Sequence, residues 1–430
     1  MRILLVVADF RDPTYAGRAF AAQHDALGLT ALGHDVVVVT NTEHSTLRAG
    51  EVRRGAWRGV PVLHLRTGST MAGESAVSNG FGRLLASVRP DLLWCETGSE
   101  FGMARAADAL RRSDAPPVIV AMPDARWLCE RTNLVRSNGR RCGQVQIDPA
   151  ICATCVMPSA SSEEWRSRSQ LLRESAAAVV VPSAELREIA VASGIAADRV
   201  TVLASVRPTS PDALARPPWS GPLRLGFIDG HNDAVGFEQM IRTFQRISRS
   251  DYEFAVANGT SVFGVREFNV GDWGIPGYVH IAEPFTASSA AEFFSRIDLL
   301  IMPSAWQDHF GFTVRAAIEH GVWPVVADGV GVGEYLTDGV DGQLVPPDAD
   351  PVVVAGVITS AIERRATAAV ADFRTGNFDS GQVAGQAEPL GAVQPATRAI
   401  GVSGARVTEL ARYLQAAILT ETPATGSRPR

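Results

Sequence analysis

Apolar positions in this chain fall into short, dense runs set between longer stretches of mixed character. Residues 3–7, 35–40, 60–65, 92–95, 117–122 and 178–181 are rich in Val, Ile and Leu, as expected for strands buried on both faces. Between the first two runs, residues 19–32 carry apolar positions at helical spacing and stop at Gly33. The same alternation resumes at 223–228 and continues through 299–302 and 324–327. The pattern predicts α/β architecture with doubly wound parallel sheets.

Two strand–loop–helix units stand in tandem between Leu300 and Asp348. The first runs from strand 299–302 through loop 303–309 to a helix opening near Gly311 and ending at Gly321. The second runs from strand 324–327 through the turn Gly329-Val330-Gly331-Val332-Gly333 to a helix start at Glu334. Both loops join strand carboxyl ends to helix amino termini. Open α/β sheets bind ligands there, and free helix-terminal amides attract phosphate.

Composition shifts divide the chain. Residues 1–207 form a first α/β domain, 208–222 a proline-rich linker, and 223–368 a second α/β domain. Residues 369–403, rich in Ala, Gly, Gln and Thr, read as a surface excursion. Residues 404–419 form an amphipathic helix with Val407, Leu410, Tyr413, Leu414 and Ile418 on one face. Residues 420–430 form a tail.

The series Pro303-Ser304, Trp306-x-Asp308-x-Phe310-Gly311, Gly321, Pro324-Val325-Val326-Ala327, Gly331-Val332-Gly333-Glu334, Asp338-Gly339, Asp341-Gly342 and Leu344-Val345-Pro346-Pro347 resembles the donor segment of retaining glycosyltransferases of the GT-B fold, family 4 in particular. The resemblance implies two Rossmann-like domains facing a cleft, with the terminal helix crossing back onto the first. It implies a nucleotide-sugar donor held mainly by the second domain and a small-molecule or glycan acceptor on the first. It implies no catalytic divalent metal at the diphosphate.

On this resemblance, Asp308 takes the place of a glutamate that touches sugar hydroxyls. The backbone of Phe310, Gly311, Phe312, Thr313 and Val314 faces the diphosphate, and Gly331 and Glu334 belong to the same donor loop set. The partner glutamate, which holds ribose, falls on Ala316; Glu319, one turn on, either substitutes for it or is a solvated helix position. The diphosphate-clamping Arg and Lys-Gly fall on Gly230 and Val235-Gly236. Gly230 and His231 are then the local donors suited to phosphate, although His231 also reads as an ordinary loop residue. Ala16-Gly17 stands for a glycine pair, leaving Gly17 at the donor. A His-Asp pair becomes Pro123-Asp124, where Asp124 orients an acceptor hydroxyl, stabilises positive charge, or caps the next helix.

Cys129, Cys142, Cys152 and Cys155 form C-x12-C-x9-C-x2-C. The final C-x2-C is half of a common structural zinc site, which four thiolates complete; free or redox-active thiols are the other reading. Arg131, Arg136, Arg140 and Arg141 lie between them and either bind an anionic acceptor or are solvated.

All 40 basic residues are arginine. Without lysine there is no Schiff-base residue for pyridoxal phosphate, no Walker-A lysine and no kinase strand lysine. The net charge of −6 argues against nucleic acid as the main partner. No run is long enough for a transmembrane segment, and a first strand beginning at Ile3 rather than a signal peptide points to the cytoplasm. The leading expectation is a retaining glycosyltransferase. The altered positions leave room for a non-catalytic relative, for a transferase using a donor without the usual ribose and diphosphate contacts, and for a sugar epimerase on the same fold.

Overall fold

The computed structural model describes residues 1–8, 10, 17–68, 70–156, 160–203, 221–228, 236–257, 270–282, 290–302, 311–328, 331–340, 342–346, 349–367 and 414. Two sheets organise them. The first contains β1 (Arg2–Val6), β2 (Asp35–Thr42), β3 (Val52–Trp57), β4 (Val60–Arg66), β5 (Leu92–Glu96), β6 (Val118–Ala121), β7 (Ala178–Val181) and β8 (Val200–Val202). Their order is β3-β4-β2-β1-β5-β6-β7-β8. Every pairing is parallel except β3 with β4. Helices α1 (Gly17–Ala31), α2 (Met71–Val88), α3 (Glu100–Leu110), α4 (Pro149–Cys152), α5 (Ala160–Ser175) and α6 (Ala184–Ala192) connect these strands.

Strand alternation builds the first core in two layers. Leu4 and Val6 enter one cluster with Phe81, Met103 and Trp127. Ile3 and Leu5, pointing the other way, enter a second with Ala22 and Ala26. Leu414 is helical, 2% exposed and part of that second cluster. Of the predicted C-terminal helix, Leu414 is the described residue, and it packs with the first domain as expected.

The second sheet contains β9 (Leu223–Phe227), β10 (Tyr252–Ala257), β11 (Tyr278–Ala282), β12 (Leu299–Met302), β13 (Trp323–Ala327) and β14 (Gln343–Val345). Its order is β11-β10-β9-β12-β13-β14, parallel throughout. Helices α7 (Phe237–Phe244), α8 (Ala290–Ser295), α9 (Phe312–Glu319) and α10 (Pro351–Thr367) accompany it. In both sheets the strand order reverses beside the first strand, at β1/β5 and at β9/β12. Ligand crevices open at the carboxyl ends of such reversals.

Several elements differ from expectation. No α-helix starts at Glu334; Gly331–Tyr335 is a short 3-10 turn. Strand β3, which pairs as an edge hairpin with the expected strand at 60–65, was not foreseen, nor were β8, β10, β11 and β14. Among the described residues, no helix is long and apolar enough to cross a membrane.

Candidate functional site

In the second sheet, two of the predicted donor segments follow neighbouring strands. Residues 229–235, with Gly230 and His231, directly follow β9 and Ile228. Residues 303–310, with Asp308 and Phe310, directly follow β12. Both segments lie outside the described residues, but the strands they leave are hydrogen-bonded neighbours. Chain connectivity alone therefore starts both at the same switch point.

Helix α9 opens there. Its cap, Gly311, has φ 61°, a left-handed conformation that glycine adopts without steric cost, and no side chain hydrogen-bonds across the cap. The first-turn amides of a helix have no intrahelical acceptor, and the helix dipole adds partial positive charge. Phe312 and Thr313 occupy that first turn. Val314 and Ala316 each expose 1% and belong to the second core. Ala316 thus contributes a packed methyl where a ribose-holding carboxylate was expected.

Glu319 lies one turn beyond Ala316 on α9. It is exposed at the last residue of α9, about 10 Å along the axis from the helix start at 1.5 Å per residue. Arg242, the nearest cation in sequence after His231, pairs with Glu238 on the exposed face of α7.

On the first domain, Asp124 lies beyond the carboxyl end of β6 and is 6% exposed. Its carboxylate accepts from the Arg126 amide at 3.1 Å and, bidentately, from the guanidinium Nε and Nη2, both at 2.8 Å. Burial works against the charged guanidinium, but the hydrogen bonds and charge of Asp124 outweigh it and raise the Arg126 pKa. Asp124 therefore caps a turn rather than a helix, and Arg126 spends its fork on it. Gly17 opens α1.

A polar cavity of about 760 Å³ lies at the edge of the same sheet, lined by Thr40, Asn41, Glu43, Arg53, Arg54 and His64 among others. Burial, then the charge of Arg53, lowers the His64 pKa, so a neutral imidazole is favoured beside two guanidinium groups. The sequence had not singled out this cavity. Its arginines sit on β3, which lacks an apolar alternation.

The cysteine loop follows β6 and the Asp124 turn. Trp127 Nε1 donates to Thr97 Oγ1 at 2.9 Å, and Ser169 Oγ to the Trp127 carbonyl. All four predicted cysteines are free thiols and line one cavity of about 180 Å³ with Arg131 and Arg136. Burial pushes the Cys129 thiol up to about 11 and raises that of Cys152. Among the described residues, no three His, Cys, Asp or Glu side chains already converge as a metal-binding group.

Glu334 lies across the domain boundary. Its carboxylate accepts from the backbone N–H of Ala184 at 2.7 Å and of Glu185 at 2.6 Å, the first two residues of α6. Ser183 Oγ accepts from Leu186 N at 3.1 Å. Three of the helix's otherwise orphaned amides are thus satisfied, two of them by the other domain. The charged acceptor is exposed, so solvent screens it. Glu334→Ala should loosen this clasp by about 1 kcal/mol, below the usual range for charged hydrogen bonds. Faster hydrogen exchange at the Ala184 and Glu185 amides would report it. Unchanged exchange there would remove the clasp from the account.

The comparisons with known proteins agree with this layout. The Glycosyl transferase 4-like domain family matches residues 17–205, and the Glycosyl transferases group 1 family matches residues 232–372. No curated protein matches the chain in sequence. Sucrose-phosphate synthase from Thermosynechococcus elongatus, 13% identical, superimposes with a TM-score of 0.67 over 98% of this chain and 100% of that one. HepE from Anabaena in complex with UDP and glucose, also 13% identical, gives 0.64 over 96% and 99%. The catalytic domain of starch synthase IV from Arabidopsis thaliana bound to ADP and acarbose, 11% identical, gives 0.62 over 97% and 99%.

Proposed function

Since this chain belongs to the GT-B glycosyltransferases, with a glycosyl transferase 4-like domain followed by a group 1 domain, we propose that it moves a sugar from a nucleotide-sugar donor to a small-molecule or glycan acceptor with retention of configuration. The observation that carries this reading is the start of α9, a helix cap at the β9/β12 switch point with no side-chain hydrogen bond across it. A diphosphate leaving group develops negative charge as the anomeric C–O bond breaks. Helix-terminal amides stabilise that charge where it forms.

Asp308, in the segment before Gly311, accepts hydrogen bonds from sugar hydroxyls. The acceptor occupies the polar cavity of the first domain, whose mixture of hydroxyl, amide and guanidinium groups suits a hydroxyl-rich ligand. In the transfer, the acceptor hydroxyl attacks from the leaving group's own face. The anomeric carbon–phosphate oxygen bond breaks, the new glycosidic bond forms, and the hydroxyl proton passes to the departing phosphate. No protein nucleophile takes part, and the diphosphate charge is met by amides rather than by a divalent cation.

Melting the full chain with UDP-, GDP-, ADP- and TDP-sugars tests the donor assignment. A ligand at one hundred times its dissociation constant stabilises the fold by about 2.7 kcal/mol, so one nucleotide-sugar should raise the Tm clearly. NMR of the glycoside formed should show the donor's anomeric configuration, with a rate unaffected by added magnesium or manganese. Inverted product would overturn retention.

One observation favours a second reading, a non-catalytic relative. The methyl of Ala316 is packed in the core where the family's ribose-holding acid belongs. A flat melting panel from well-folded protein would select that reading.

A further inference from the structure

We propose that the four-cysteine loop of the first domain is a structural zinc site, with Cys129, Cys142, Cys152 and Cys155 as its ligands. The inference is independent of the transferase reading.

The first observation is convergence. The four thiols come from three separate stretches of the loop, yet all line a single cavity. Cys129 sits at its buried floor, 9% exposed, and the other three are partly exposed. Cys152 and Cys155 flank one turn: Cys155 N donates to the Cys152 carbonyl at 2.8 Å. That turn presents both sulfurs from one short segment, as C-x2-C pairs do in tetrahedral thiolate sites.

The second observation is that the sulfurs attract a donor. Gln144 Nε2 reaches Cys142 Sγ at 3.2 Å and Cys152 Sγ at 4.0 Å. One amide thus reaches sulfurs on two different stretches of the loop. Donors of this kind orient metal-bound thiolates and tune them.

The third observation is what surrounds the cavity. Binding breaks four S–H bonds, forms four Zn–S bonds and releases four protons to solvent, which leaves a centre of charge −2. Arg131 and Arg136 line the same cavity. Both guanidinium groups are held by the loop's own carbonyls: Arg131 Nε by Val135 at 2.9 Å, and Arg136 Nη2 by Cys142 at 2.8 Å. Their charge offsets that of the centre without competing as ligands.

The loop also needs such a centre. Among the described residues between β6 and α5, the regular elements are the four-residue α4 and a single bridge, Val135 with Arg141. Thr132 and Leu134 both have left-handed φ, 70° and 55°, which costs energy for residues with a Cβ. The loop's first part packs into the core through Trp127, Leu128 and Leu134, but no residue from 136 to 156 is buried, so metal-ligand bonds would supply the missing stability there. The four sulfurs surround the cavity rather than meeting at its centre, and a metal ion would draw them in. Four thiolates with no open position suit zinc in a closed structural site.

What the loop holds follows from its two ties to α6. Arg141 pairs with Glu185 at the helix start, and Ile147 N donates to Ser193 Oγ at 3.2 Å at the helix end. The same helix start receives Glu334 from the second domain. Zinc would therefore brace the helix that the donor domain grips.

Elemental analysis of the full chain, purified after expression in zinc-supplemented medium, tests the site. The expected content is about one zinc per chain, retained by Cys95→Ala and lost by the double variant C152S/C155S. Cys95 is a buried core residue outside the loop, so that variant controls for general thiol loss. Because the double variant could fail to fold, the wild-type chain is also exchanged with cobalt. Sulfur-to-cobalt charge transfer and the strong visible bands of tetrahedral thiolate coordination should then appear. Wild-type protein that is metal-free, with four loop thiols open to a thiol reagent, would overturn the proposal. So would stoichiometric iron, or a disulfide within the loop.

Discussion

Arg224→Ala should cost the second domain about 3–5 kcal/mol, the range for removing one partner of a buried ion pair. Arg224 lies near the amino end of β9, at the centre of the six-stranded sheet. Its side chain and that of Asp298 are each only 10% exposed. Arg224 Nε and Nη2 reach the two carboxylate oxygens at 3.1 and 2.9 Å. Arg224 N donates to the same carboxylate at 3.1 Å, and Asp298 N donates to the Arg224 carbonyl at 2.6 Å. The pair thus locks β9 to the residue that precedes β12.

Truncating the arginine leaves a buried carboxylate with its strongest partner gone, which explains why the loss should exceed that for a surface pair of about 0–1 kcal/mol. A domain's total stability is about 5–15 kcal/mol, so the loss should bring the second domain close to unfolding. Arg224→Lys should recover little, because a point charge cannot reproduce the planar fork. Urea denaturation of both variants is the measurement, and a loss below about 1 kcal/mol for Arg224→Ala would place this pair with the surface class. The crevice opens at the opposite, carboxyl end of β9. Any variant still folded should therefore bind donor as the parent does.

The ion pair was invisible in the sequence because its partners are 74 residues apart and neither belongs to a motif. The strands it joins were legible. Their runs of Val, Ile and Leu are buried on both faces, and residues 178–181 and 299–302 appear as β7 and β12 with the expected bounds. The edge hairpin β3–β4 shows where that signal stops. Val52–Trp57 is exposed through its middle, so burial imposes no apolar rhythm. The turn Arg58-Gly59, with φ 47° and 85°, has the positive dihedrals of a two-residue hairpin loop. A glycine between two short runs was the only local hint.

The site divides along the same line. Local chemistry showed where a strand must end and a helix begin, and hence Gly311 and the switch-point loops. It also showed that four cysteines share one loop. It did not show that Glu334 would reach α6, because that contact spans 150 residues. Nor did it assign an α-helix correctly at Glu334: Gly331 and Gly333 sit within the 3-10 turn itself, and glycine disfavours extending a helix.

Gly102→Ala should destabilise the first domain by about 3 kcal/mol, the upper end of the cost of overpacking, although helix propensity alone predicts the opposite sign. Gly102 lies in the first turn of α3. Elsewhere in a helix, replacing glycine with alanine gains about 0.5–1 kcal/mol. Here an added Cβ would stand 1.9 Å from the Glu96 carbonyl oxygen, far inside contact distance. That atom is backbone at the end of β5, and it cannot turn aside as a side chain would. Next to it, Thr97 N and Oγ1 both donate to the Ala121 carbonyl, at 3.0 and 2.8 Å. The same Thr97 hydroxyl receives Trp127 Nε1 at the root of the cysteine loop. The strand end is therefore pinned, and α3 must move. Its displacement would disturb Arg105, 1% exposed and paired with Glu74 and Asp108. Gly356, in the middle of α10 with open space where its Cβ would stand, is the control: Gly356→Ala should stabilise. Thermal or urea denaturation of the two variants reads opposite signs if the close approach governs Gly102. Two shifts of the same sign would mean that propensity outweighs it.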